Sequence, residues 1–120
     1  MIRLIIAGSR DHHPTNADID AAVVAMLGGH DNRLIIISGG APGVDAAGER
    51  WGRERDRKVR VFPADWSRYG KGAGKIRNQE MEREATHLLA FWDGMSPGTA
   101  HMIATMVMRK KPAHVVLVRK

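Results

Sequence analysis

Cysteine is absent from the chain. That removes disulfides, thiolate zinc sites, iron–sulfur clusters and cysteine nucleophiles together. Aromatic residues are sparse at 5%, which counts against a surface built from rows of base-stacking rings. No apolar run approaches the roughly 20 residues that cross a bilayer. The N-terminal run, Ile2 with Leu4 to Ala7, is also too short for a signal peptide and has no cleavage site. A cytoplasmic location without membrane contact is therefore expected. No repeat, low-complexity tract or linker interrupts the sequence, so residues 1–120 are expected to form one domain.

What is present is a globular mixture, 43% hydrophobic and 27% charged. Lys and Arg number 19 against 13 Asp and Glu, giving a net charge of +6. Such a balance favours anionic partners, among them phosphates, nucleotides and nucleic acid, without choosing between them.

Short apolar runs alternate with helical stretches. Strands are expected at Ile2 to Ala7, Leu34 to Ile37, Val59 to Phe62, His87 to Trp92 and Val115 to Val118. The third alternates apolar with basic residues and reads as an edge. The first helix spans Asn16 to Leu27, because Ile19, Ala22, Val23, Met26 and Leu27 share one face of a 3.6-residue period. Thr15 and Asp18 form a capping-box pattern before it, and Gly28-Gly29 ends it. The second helix, Val44 to Asp56, turns Val44, Ala47, Gly48 and Trp51 inward. Asp65 to Gly74 reads as a long polar loop. A third helix from Lys75 to Ala85 has a thin stripe of Ile76, Met81 and Ala85. The last, Thr99 to Arg109, puts Ala100, Ile103, Ala104, Val107 and Met108 on one face before Pro112 bars its continuation.

Alternation of this kind argues for an α/β fold, a three-layer sandwich around a five-stranded, mainly parallel sheet. Right-handed crossovers favour a Rossmann-like strand order 3-2-1-4-5, with the flavodoxin-like 2-1-3-4-5 as the alternative. Ligands then bind beyond the carboxyl ends of the strands, near the switch point. Four loops qualify: 8–14, 38–43, 63–74 and 93–98.

The sharpest is Ser38 to Asp45. Gly39, Gly40 and Gly43 allow a tight turn and close approach to a ligand, and the helix start beyond them is a ready anion site. A tight turn with no ligand has the same composition. The segment is neither a Walker A loop nor a GxGxxG fingerprint. Asp45, in the first helical turn, either complements the helix dipole or accepts hydrogen bonds from a ribose or base. After the first strand come Gly8, Ser9 and Arg10, where Ser9 can donate to a phosphate oxygen and Arg10 can grip one bidentately. Gly98 and Thr99 open the last helix, with Thr99 as its N-cap or as a second phosphate ligand. Arg77 and Asn78 near the start of the third helix are further candidate contacts; Glu80, one turn on, reads equally as a surface pair with Arg77.

The histidines at 12, 13, 30, 87, 101 and 114 have no metal-ligand spacing, so neither a metal nor a cofactor is expected. His101 is the one near the presumed cleft. The cluster Arg50, Arg53, Arg55, Arg57, Lys58 and Arg60 is interleaved with acids and reads as a solvated face rather than a nucleic-acid patch.

Together these loops resemble the SLOG superfamily, which takes its name from the DNA-processing protein A (Smf) and Lonely Guy proteins, and within it the YspA/YpsA-related branch found in bacteria and phages. The carriers are Gly8-Ser9-Arg10, Ser38-Gly39-Gly40-Ala41-Pro42-Gly43-Val44-Asp45, Arg77-Asn78 within Gly74 to Met81, and Ser96-Pro97-Gly98-Thr99. The resemblance implies a Rossmann-like domain that binds a nucleotide or nucleotide-derived ligand carrying a phosphorylated ribose, as a sensor or as an N-glycosidic hydrolase, and that self-associates as a homodimer. The phosphate would sit on Gly39 to Gly43, with Ser38 and Ala41 in the same loop. Ser9, Arg10, Arg77 and Thr99 would complete the cradle, and Asp45 would hold the sugar or base. Lonely Guy enzymes carry an arginine matched by Arg77 and a Gly-Thr pair matched by Gly98 and Thr99, but their glutamate falls on Met102, which can do no acid–base work. The candidate catalytic residues are then Arg77, Glu80 and Asp45. DNA-processing protein A shares the Ser-Gly-Gly-Ala-x-Gly-x-Asp and Arg-Asn elements, so a single-stranded nucleic-acid-binding module is the alternative.

Overall fold

The computed structural model describes residues 1–28 and 33–119. Gly29 and His30, named above, lie outside them. Five strands, β1 (Ile2–Gly8), β2 (Leu34–Ser38), β3 (Lys58–Val61), β4 (His87–Trp92) and β5 (Ala113–Leu117), form one sheet in the order β3-β2-β1-β4-β5. All four pairings are parallel. The Rossmann-like order is the one adopted, and β3 is an edge strand.

A parallel sheet must be covered on both faces, and the central strand shows how the sequence meets that need. In β1, Leu4 and Ile6 point into one core with Ile19, Val23, Val44 and Trp51. Ile5 and Ala7 point into the other with Met81, Ala85, Met102 and Met106. The first core is roofed by α1 (Asn16–Leu27) and α2 (Val44–Glu54). The second is roofed by α4 (Ala73–Glu84) and α5 (Pro97–Met108). The period-2 alternation of a continuous apolar run thus feeds both layers of the sandwich.

α1 follows its sequence signals. The Thr15 hydroxyl accepts from the Asp18 N–H at 3.1 Å, and the Asp18 carboxylate accepts from the Thr15 N–H at 2.9 Å. Gly28 closes the helix with φ 70°. Thr15→Ala leaves a first-turn donor unsatisfied and is expected to lower stability by about 1 kcal/mol in urea unfolding; an unchanged midpoint would show the cap to be energetically idle. On the basic face three arginines meet acids. Arg55 pairs with Asp20 at 2.9 Å, Arg60 with Glu84 at 2.7 Å and Arg53 with Glu49 at 3.4 Å. Trp51 is buried, its Nε1 donating to Asp20 at 2.9 Å.

Three expectations need correcting. The 65–74 stretch is not an irregular loop. It holds a single helical turn, α3 (Trp66–Tyr69), and a 3₁₀ turn (Gly70–Gly72), and α4 begins at Ala73. The Asp65 carboxylate organises α3 by accepting from the Arg68 N–H at 3.1 Å and the Ser67 hydroxyl at 2.9 Å. The inward face of α5 is also different. Thr99, Met102 and Met106 are buried and Ile103 packs against them, while Ala104, Val107 and Met108 are exposed. Finally, α5 starts two residues early, with Ser96 as N-cap and Pro97 at the first helical position, where a missing N–H costs nothing. Among the described residues no helix is long and apolar enough to cross a membrane.

Candidate functional site

Strand order places the switch point between β1 and β4, and a cleft of about 570 Å³ opens at their carboxyl ends. Gly8, Ser9 and Arg10 from the β1 loop line it, as do Gly39, Ala41 and Asp45 from the β2 loop and helix α2. So do Arg77 and Asn78 from α4 and Gly98 and Thr99 from α5. Residues from four separate segments, up to 91 positions apart in the chain numbering from Gly8 to Thr99, therefore face one space.

Ser38, Gly40 and Gly43 do not line the cleft; they build the loop behind it. The Ser38 hydroxyl donates to Glu49 at 2.6 Å and accepts from the Gly40 N–H at 3.1 Å. Gly43, at φ 79°, lies against the backbone of Ser9 and Arg10, where the Val44 N–H donates to the Ser9 carbonyl at 3.3 Å. Glu80 is exposed on α4 and outside the cleft. Met102 is buried at the cleft wall and offers only a thioether.

The electrostatic centre is Asp45 with Arg77, converging on Gly39. A Cβ at Gly39 would lie 2.7 Å from Arg77 Nη1 and 2.9 Å from Asp45 Oδ2, so no larger residue fits between them. Arg77 Nη1 donates to the Gly39 carbonyl at 2.7 Å and Nε to Asn78 Oδ1 at 3.1 Å. Nη2 has no hydrogen-bond partner among the described residues. Asn78 in turn donates to the Gly98 carbonyl at 3.2 Å and lies 3.1 Å from His101 Nδ1. One polar chain thus runs from the β2 loop through α4 to α5. Burial pushes the Asp45 carboxyl up to about 6, against the opposing pull of the Ala41 and Gly8 N–H groups and of Arg77. Burial lowers the Arg77 guanidinium although Asp45 opposes it, with Arg10 adding repulsion. His101 is lowered by burial and by Lys75, which keeps its ring neutral near pH 7.

The β4 loop is fixed by Asp93. Its carboxylate accepts from the Ser96 N–H at 2.7 Å, the Met95 N–H at 2.8 Å and the Ser96 hydroxyl at 3.0 Å. These bonds hold it ionised with a value of about 2. Ser96 Oγ also meets Ser9 Oγ at 3.1 Å and so ties the β1 and β4 loops together.

Sequence reasoning passed over Trp66, Lys71 and Lys75, which also line the cleft. The signal for the first was Asp65, a capping residue type immediately before an aromatic. Lys71 and Lys75, like Arg10, have no ion pair among the described residues, whereas Arg53, Arg55 and Arg60 of the α2–β3 face are matched to acids. Three cations without an ion pair among the described residues therefore border the cleft.

A family model described as YspA, cpYpsA-related SLOG family (YAcAr) matches residues 2–69. That span includes the Gly8–Arg10 and Ser38–Asp45 loops and stops short of Arg77. The Gene 61 protein of Mycobacterium phage D29 is 37% identical over 107 residues, 84% of this chain and 85% of the relative. No solved structure gives a significant match.

Proposed function

The chain belongs to the YspA, cpYpsA-related SLOG family, and from that premise we propose that its cleft binds a nucleotide or nucleotide-derived ligand through a phosphorylated ribose. The observation that carries this reading is the set of cations around a cleft at the switch point: Arg10, Lys71 and Lys75, without an ion pair among the described residues, and Arg77, whose Nη2 has no hydrogen-bond partner among them. The phosphate lies between Arg10, Arg77 and the first turn of α5, where the backbone of Gly98 and Thr99 adds the helix N-terminus. Asp45, ionised above about pH 6, repels a phosphate and accepts from ribose hydroxyls instead. Ser9 and Ala41 border the same region. Gly40, Gly43 and Ser38 serve this site by holding the loop rather than by touching ligand. If the ligand is cleaved rather than sensed, Asp45 is the buried carboxylate able to assist water at an anomeric carbon, since Glu80 is outside the cleft and Met102 carries no acid.

Titration calorimetry with nucleoside monophosphates, ADP-ribose and ribose 5-phosphate tests the proposal. At least one is expected to bind saturably, and Arg77→Ala to weaken it at least tenfold, as loss of a charged hydrogen-bond donor implies. A folded protein that binds none of them overturns the reading. Steeply salt-dependent binding of oligonucleotides alone would favour the nucleic-acid alternative.

A further inference from the structure

The three tryptophans have different environments. Trp51 is buried and bonded to Asp20, and Trp92 donates from Nε1 to the Ser96 carbonyl at 3.1 Å. Trp66 is 52% exposed, lines the cleft, and its indole has no hydrogen bond or ring contact among the described residues. A half-exposed indole on a cleft wall keeps apolar surface available for a ligand. Its surroundings say what kind. The position that a Cβ on Gly74 would take is 3.6 Å from Cη2 of Trp66 and 3.9 Å from Nη2 of Arg77. The indole edge and Nη2 of the guanidinium therefore flank the same point beside Gly74, with Lys71 and Lys75 on the adjoining turns. A flat apolar ring beside a cluster of cations matches a ligand that is planar at one end and anionic at the other. A π-face accepts any base by stacking, without hydrogen-bond readout.

We propose that Trp66 is the stacking platform for the base of the bound ligand, so that the site selects nucleotides over sugar phosphates that lack a base. This rests on the phosphoribosyl reading above and adds the base as a required part of the ligand. The short turn that carries Trp66 is set by the Asp65 cap, so the ring is presented by a fixed element rather than a loose loop.

The test compares AMP and ribose 5-phosphate on the intact chain and on Trp66→Ala and Trp66→Phe. AMP is expected to quench tryptophan fluorescence and ribose 5-phosphate to leave it unchanged. Trp66→Ala should lose roughly five- to a hundred-fold in AMP affinity, as removal of one stacking ring does, with ribose 5-phosphate affinity held and Trp66→Phe retaining most AMP binding. Thermal unfolding confirms that the variants fold. Equal AMP affinity in Trp66→Ala and the parent overturns the platform while leaving the phosphoribosyl reading intact. Failure of the parent to bind either ligand overturns both. Oligonucleotide binding that depends on Trp66, with no AMP binding, overturns the small-ligand assignment.

Discussion

Gly43→Ala is expected to cost more than about 4 kcal/mol, enough to remove much of the roughly 5–15 kcal/mol that holds a domain folded. Two penalties combine. At φ 79° and ψ −123° the backbone of Gly43 is in a region that a residue with a Cβ reaches only at about 1–3 kcal/mol. The added Cβ would also lie 2.4 Å from the Arg10 carbonyl oxygen and 2.5 Å from that of Ser9. Both are backbone atoms and cannot swing aside. Relief requires the β1 and β2 loops to separate, which breaks the Val44 N–H bond to Ser9 and opens the cleft from behind. Gly28→Ala is the matched control. It has φ 70° with nothing within 4 Å of the new Cβ, so it carries the conformational cost of about 1–2 kcal/mol alone. Urea unfolding of the two variants separates the terms. Equal losses would mean that the two loops do not pack as closely as described.

That loop contact explains which parts of the site were legible in the sequence. An alternating pattern of apolar runs and helices dictates a parallel sheet, and a parallel sheet dictates which loops can meet a ligand. Within each loop the residue types were informative, since glycines and a serine before a helix have few other uses. What no local pattern shows is which side of a loop faces the ligand. Gly43 turns towards the protein because the β1 loop occupies the space beside it, and Gly40 lies exposed beside Val61 of β3, outside the cleft. The face of α5 was unreadable for a related reason. Apolar residues encircle much of that helix, so periodicity has no polar side to point away from. Packing of Met102 and Met106 against Ile5, Ala7 and Leu88 decides the rotation and leaves Val107 and Met108 in water. The meeting of Arg77 with Asp45 is a product of tertiary placement alone, whereas the turn that carries Trp66 has a local signal in Asp65.

Asp45→Asn is expected to stabilise the protein at neutral pH while weakening its ligand. In the folded chain burial holds the carboxyl up at about 6, against an ordinary value of 3.8. Below pH 4 both folded and unfolded chains are protonated and the burial carries no ionic penalty. Between about pH 4 and 6 the folded chain retains a proton that the unfolded chain has lost, so stability falls as pH rises. Above about pH 6 the full cost is in place, roughly 3 kcal/mol for a shift of about two units. An asparagine never ionises and its Oδ1 still accepts from the Ala41 N–H, but only one oxygen remains to accept from the Ala41 and Gly8 N–H groups, at a cost of about 1 kcal/mol. The net effect is therefore a gain of about 2 kcal/mol at pH 7.5 and a loss of about 1 kcal/mol at pH 4, read as the vanishing of the parent's slope in urea midpoints across that window. Arg77 loses its counter-charge in the variant but keeps the Gly39 carbonyl and Asn78. A chain that holds a carboxylate ionised at such a cost does so for something outside the folding balance, in the way that sites trade stability for function. Ribose hydroxyls are the acceptors' natural partner here, so the stabilised variant should bind nucleotide more weakly. A gain in stability with undiminished binding would remove Asp45 from the ligand's contacts and leave its charge without a role.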